Sequence, residues 1–205
     1  MAHLEILVEE PSAEAALQIL VPRLIGGDVS FRIHPHEGKP DLLQSLAGRL
    51  RGYANWRGRT GTRVIVLLDE DREDCRGLKR DLERMAAAAG LPTKSAEPTR
   101  PFMVVNRLAV EELEAWFFGD IVALSTAFPG VPATLAQKRA YRDPDAIRGG
   151  TWEALHRVLQ GAGYYPGGFN KIEAARRVAQ HMDPDRNRSR SFQVFRQALE
   201  LAAAD

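Results

Sequence analysis

A chain of 205 residues, 44% hydrophobic and 27% charged, is long enough to bury a core and too apolar for global disorder. A net charge of +1 excludes an overall field that would draw it to nucleic acid or a membrane, although seven Lys/Arg stand against three Asp/Glu between Lys171 and Arg196. One cysteine, Cys75, excludes an internal disulfide framework and fits a reducing compartment.

The first apolar run, residues 4–8 (LEILV) of MAHLEILVEE, contains a glutamate and is expected to be too short and too acidic for a signal peptide. It does not alternate cleanly, which is how a parallel strand covered on both faces reads. After Pro11-Ser12 a helix is expected, with Ala15, Ala16, Ile19, Leu20 and Leu24 on one face. Residues 28–34 alternate Val29, Phe31 and Ile33 inward as a second strand, and a helix follows from about Asp41 with Leu42, Leu43, Leu46 and Leu50 as its stripe. Residues 64–68 (VIVLL) read as the third strand, 77–89 as the next helix with Gly90 in C-cap position, and 102–105 (FMVV) as the fourth strand. A helix over Val110–Leu124 closes this half.

That strand–helix alternation predicts an α/β fold over residues 1–125, with a mostly parallel sheet flanked by helices. Beyond 125, prolines and paired glycines punctuate short helices near 151–160, 171–181 and 191–203, and no strand run occurs. Residues 126–205 are therefore expected to form a small helical C-terminal extension packed on the core. Asn170 with Glu173 has capping-box spacing. No uncharged stretch reaches membrane-spanning length, so a cytoplasmic location without membrane contact is expected.

Chemistry concentrates where strands end. In open parallel sheets ligands bind beyond the carboxyl ends of the strands. Here LEILV runs into Glu9-Glu10 and VIVLL into Asp69-Glu70-Asp71, with Asp74 close behind. Carboxylates that converge on a low-dielectric edge raise one another's pKa unless something neutralises them. Hard divalent cations such as magnesium do so. Asp69 and Asp71, two apart, project the same way from extended backbone, with Glu70 opposite. Glu9, Asp69 and Asp71 are therefore the candidate metal ligands. Glu10, Glu70 and Glu73 read as acids favouring helix N-termini, and Asp74 fits either role.

These residues lie within a wider resemblance. A hydrophobic strand ending in glutamate, then a later one ending in DxD, resembles the Toprim domain of topoisomerases, primases and the overcoming-lysogenization-defect nucleases. More closely, LVEEPSAEAAL (7–17), GKPDLLQSL (38–46), VLLDEDREDCRGLK (66–79), RLAVEELEAWFFGD (107–120) and KIEAARRVAQHMDPDRNRSRSF (171–192) resemble the bacterial family called domain of unknown function 4276. The resemblance implies a Toprim-like core and a link to phage defence. It matches Glu9 to the Toprim glutamate and Asp69 and Asp71 to the DxD. Residue 10 departs from it: many Toprim domains have glycine there, where this chain has Glu10 followed by Pro11.

Glu111 and Glu114, spaced to share a helix face, could complete a second metal position or simply favour the helix N-terminus, with the ELEAW resemblance favouring Glu114. Lys39, in HEGKPD, suits a phosphate contact or a solvated turn. Lys171, Arg186, Arg188 and Arg190 could grip a nucleic-acid backbone or form a solvated basic face around a helix capped by Ser189 or Ser191. Phe192, Phe195 and Leu199 read as core, Trp56, Trp116 and Trp152 as packing, and His34 with His36 as too few ligands for zinc.

The expected function is a magnesium- or manganese-dependent phosphodiesterase acting on DNA or RNA. A separately encoded ATPase and a second copy of the chain are further candidate partners. The alternative is a non-catalytic Toprim-like module that binds metal, nucleic acid or a partner. A haloacid-dehalogenase-like phosphatase also places DxD after an apolar strand. That motif falls early and continues with Thr or Val, whereas here it continues Arg72-Glu73.

Overall fold

The computed structural model describes residues 2–56, 61–71, 73–96 and 101–204. Arg72, used above against the phosphatase reading, lies outside them. The first half runs β1 (Ala2–Val8), α1 (Pro11–Ile25), β2 (Ser30–Pro35), α2 (Lys39–Ala54), β3 (Gly61–Asp69), α3 (Cys75–Ala88) and β4 (Val104–Ala109). The four strands form one parallel sheet in the order β2-β1-β3-β4. The α/β class expected from the alternation is the observed one. Because all strands run parallel, the ends of β1 and β3 are neighbours on one edge.

Side-chain alternation divides the core between the two faces. Leu7, Val64, Val66, Leu68 and Val104 pack under α2 and α3 through Leu42, Leu46, Leu50 and Leu82. Leu4, Ile6, Val8, Ile65, Leu67 and Val105 meet Leu17 and Leu20 of α1 on the other face. Gly90, at φ +72 just past α3, takes the left-handed conformation that ends a helix at little cost to glycine.

The expected helix over 110–124 is broken into α4 (Glu114–Gly119) and α5 (Ile121–Ala127). Asp120 breaks it: its carboxylate accepts the Ala123 N–H and caps α5. Three 3-10 turns follow, then α6 (Thr151–Gly161), α7 (Lys171–His181) and α8 (Arg190–Ala203). Asn170 caps α7 through the Glu173 N–H, and Ser189 caps α8 through that of Phe192. Phe192, Phe195, Leu199, Val178 and Trp116 join the same apolar cluster as α1, so these helices complete one face of the core. Asn187 fastens them to α4: its side-chain N–H donates to Trp116 O (2.8 Å), and Gly119 leaves the room its carbonyl needs. Of the tryptophans, Trp116 is fully buried, whereas Trp56 is exposed and rests edge-on against Tyr53. Among the described residues no helix is long and apolar enough to cross a membrane.

Candidate metal and phosphate site

At the carboxyl edge, Glu9 follows β1 directly, and its Oε2 accepts the backbone N–H of Asp69 at the end of β3 (3.1 Å). This bond ties the two acidic strand ends together. Glu9 is buried, and burial together with the Asp71 charge pushes its carboxyl up to about 7, against the Asp69 N–H and Lys39. Asp69 is held well above the ordinary carboxylate range, first by burial and then by Glu9, Glu114 and Asp71. Glu114, only 2% exposed at the start of α4, is pushed up to about 7 by burial, with Glu112 and Glu10 adding to the effect and Lys171 opposing it. Glu9, Asp69 and Glu114 thus belong to one electrostatic unit drawn from β1, β3 and the segment after β4.

Asp71 and Glu111 behave differently from the sequence expectation. Both are non-glycine residues at positive φ, +52 and +59, in loops that bond to each other. The Asp71 N–H donates to Glu111 O (2.8 Å), and the Glu111 N–H to a Glu70 carboxylate oxygen (3.1 Å). Left-handed backbone at two such residues is uncommon and costs about 1 kcal/mol or more each. Glu111 therefore precedes the helix and does not share a helix face with Glu114. Asp71 leaves extended geometry, and its carboxylate faces Lys39 (2.9 Å).

Lys39, buried at the first turn of α2, also pairs with Glu73 (2.8 Å) and donates to Glu70 O (3.3 Å). Burial would lower its pKa, but Glu73, Asp71 and Glu9 hold it above its usual value. Gly38, at φ +94, makes this turn and donates its N–H to Glu9 O (3.0 Å). On the other flank, Lys171 at the start of α7 pairs with Glu10 (3.2 Å) and lies over the Trp152 ring (5.4 Å). Burial would lower its pKa as well, and Glu114 and Glu10 raise it. Glu10 itself has extended backbone at φ −134, which needs no glycine. A groove lined by Glu10, Ser12, Phe169 and Lys171 opens here.

The other acids have structural duties. Glu112 accepts the backbone N–H groups of Thr151 (2.8 Å) and Trp152 (2.8 Å), anchoring the start of α6. Asp74 caps α3 by accepting the Arg76 N–H (3.0 Å) and is exposed. Arg186 makes a two-pronged pair with the buried Asp120 (2.7 and 2.8 Å) and so is held inside the helical extension. Arg188 and Arg190 are exposed at the entry to α8. The lysines, not these arginines, are the cations that act on the carboxylates.

Among the described residues, no three His, Cys, Asp or Glu side chains form a ready-made metal cage. The physical reason is that Lys39 neutralises Asp71, while one Glu9 oxygen is turned onto the Asp69 amide. The donor chemistry still fits a hard divalent cation. Glu9, Asp69 and Glu114 are carboxylates whose ionised forms burial opposes, and a cation would stabilise those forms.

The fold and this edge define a parallel α/β protein with an acidic, lysine-flanked site beyond its strands. The chain belongs to the family described as a domain of unknown function (DUF4276), whose model matches residues 8–200. Comparison with curated proteins and with solved structures gives no match.

Proposed function

We propose that this protein is a magnesium- or manganese-dependent phosphodiesterase with a Toprim-like core, cleaving DNA or RNA as an effector in phage defence. The observation that carries this reading is the bond that joins Glu9 to Asp69 at the ends of adjacent parallel strands, with Glu114 adding its charge to Asp69 and with Lys39 and Lys171 on the flanks. Glu9, Asp69 and Glu114 would hold the cation, with Asp71 joining if Lys39 moves to a phosphate. When bound, the cation supplies Lewis-acid stabilisation of charge on the scissile phosphate. Lys39 and Lys171 supply fixed positive charge for phosphate oxygens on either side. Alternatively, instead of ligating the cation, Glu9 would serve as the general acid or base of the reaction. A cytoplasmic location and a separately encoded ATPase partner belong to the same proposal.

One observation favours a second reading. Lys39 already satisfies Asp71 and Glu73, as in a module that binds a partner or nucleic acid without turnover. Incubation of the pure protein with DNA and RNA, with and without magnesium or manganese, separates the two. The enzyme reading expects metal-dependent cleavage that disappears in Glu9→Gln and Asp69→Asn. Nucleic-acid binding with no cleavage under any metal condition supports the module instead.

A further inference from the structure

Three arginines meet in a depression on the helical extension that no residue of the carboxylate site lines. Arg139 belongs to the second 3-10 turn (Arg139–Tyr141), Arg148 follows the third (Pro144–Ala146), and Arg157 lies on α6. All three are exposed, and with Tyr141, Ile147 and Ala154 they line one cavity of about 440 Å³. The fold brings them there. Gly149 and Gly150, at φ +89 and +91, turn the chain between Arg148 and α6 through backbone that other residues rarely adopt. A Cβ at Gly150 would also collide with the Glu153 carboxylate. Tyr141 is fixed beside Arg139 by stacking on Phe118 of α4, with ring centres 5.2 Å apart and planes 7° from parallel.

Among the described residues, no acidic side chain pairs with Arg139, Arg148 or Arg157. The acids nearby are engaged elsewhere. Asp145 accepts the Ser189 hydroxyl (2.7 Å) and the Ser191 N–H (2.9 Å), and Asp143 accepts the Asp145 N–H (3.1 Å). Glu153, one turn before Arg157 on α6, makes no ion pair with it. By contrast Arg80, Arg84, Arg177, Arg186 and Arg196 each face a carboxylate. A cleft lined by one sign of charge focuses its field and concentrates the counter-ion. Guanidinium groups match phosphate oxygens in paired hydrogen bonds, which selects phosphate among anions. The apolar wall of Ile147 and Ala154 beside Tyr141 suits a flat ring, and the cavity has the size of a small-molecule pocket.

We propose that this depression binds a nucleotide, with Arg139, Arg148 and Arg157 holding its phosphate and the wall of Tyr141, Ile147 and Ala154 receiving its base. A phosphorylated nucleoside presents that chemistry whether it is free or one unit of a strand. Neither the site nor its ligand depends on a metal at the carboxylate edge.

Nuclear magnetic resonance of the full chain with 15N-labelled arginine, in chelator, reads the site without activity. The probes are adenosine monophosphate, a single-stranded oligonucleotide and inorganic phosphate. Saturable shifts of the Arg139, Arg148 and Arg157 side-chain N–H signals are expected with a nucleotide probe. Replacing Arg148 and Arg157 together by glutamine should weaken that binding at least about tenfold, as loss of charged hydrogen bonds to phosphate requires. Both arginines are exposed and unpaired, so their replacement strands no buried group. Tighter binding of the monophosphate than of the strand assigns a free nucleotide, and the reverse order assigns a nucleotide within a strand. The proposal is overturned if neither nucleotide probe moves these signals, or if the double variant binds as tightly as wild type. Inorganic phosphate that binds as tightly as the nucleotide probes overturns it too, because the base then contributes nothing.

Discussion

Replacing Glu114 by glutamine removes a charge that the fold opposes while keeping shape and hydrogen-bonding capacity. Glu114 is 2% exposed, and burial pushes its carboxyl up to about 7 in the fold from an ordinary 4.5. The folded pKa is the higher one, so the folded protein binds this proton more tightly. Stability contributed by that proton is fully present below pH 4.5 and is lost as pH rises to about 7, after which the loss is constant. A rise of that size corresponds to about 3 kcal/mol at pH 8 and less than about 1 kcal/mol at pH 5. Glu114→Gln without metal should therefore be more stable than wild type at pH 8, by up to about 3 kcal/mol or roughly 6–12 °C in Tm. The attraction to Lys171 is already included in that value, and at pH 5 the gain nearly vanishes. Thermal melts of both proteins at pH 5 and pH 8, in chelator, measure this. A variant no more stable than wild type at pH 8, or equally stabilised at both pH values, would refute the reasoning.

On the opposite side of the sign rule, Glu5 is held below its usual pKa: burial raises it, but bonds with His34, His3 and Tyr53 outweigh burial. Its contribution is present above about pH 4.5 and lost as pH falls through the lowered value, so Glu5→Gln should cost stability at pH 7, and the cost should shrink as pH is lowered below 4.5. Chemical denaturation at pH 7 and below pH 4.5 reads the difference. Arg186→Gln should cost about 2 kcal/mol by unpairing buried Asp120, yet leave the salt dependence of nucleic-acid binding unchanged. Replacing Arg188 and Arg190 together should do the reverse, preserving stability and reducing the salt slope by about 1–2 in a filter-binding titration.

Much of the fold was legible because long apolar runs and the helices between them follow from periodicity, which local sequence carries. LEILV and VIVLL ended where expected, and α6, α7 and α8 fell within a residue or so of their expected bounds. The break at Asp120 was not legible, because it depends on Asp183 and Arg186, more than sixty residues away, turning a helical aspartate into a cap and an ion-pair partner. The acidic strand ends were visible as motifs. Their arrangement was not: Asp71 turns onto Lys39 through left-handed backbone fixed by the Glu111 loop, which no DxD spacing encodes. The burial of Glu114 likewise comes from helices that arrive late in the chain.

Whether these carboxylates hold a divalent cation decides the proposed function. A crystal soaked in manganese, with anomalous diffraction recorded at the manganese edge, tests that directly. The expected result is a peak about 2.2 Å from carboxylate oxygens of Glu9 and Asp69, as hard-cation oxygen coordination requires. A crystal that shows no anomalous peak at this edge, with Lys39 still seated on Asp71, would contradict it.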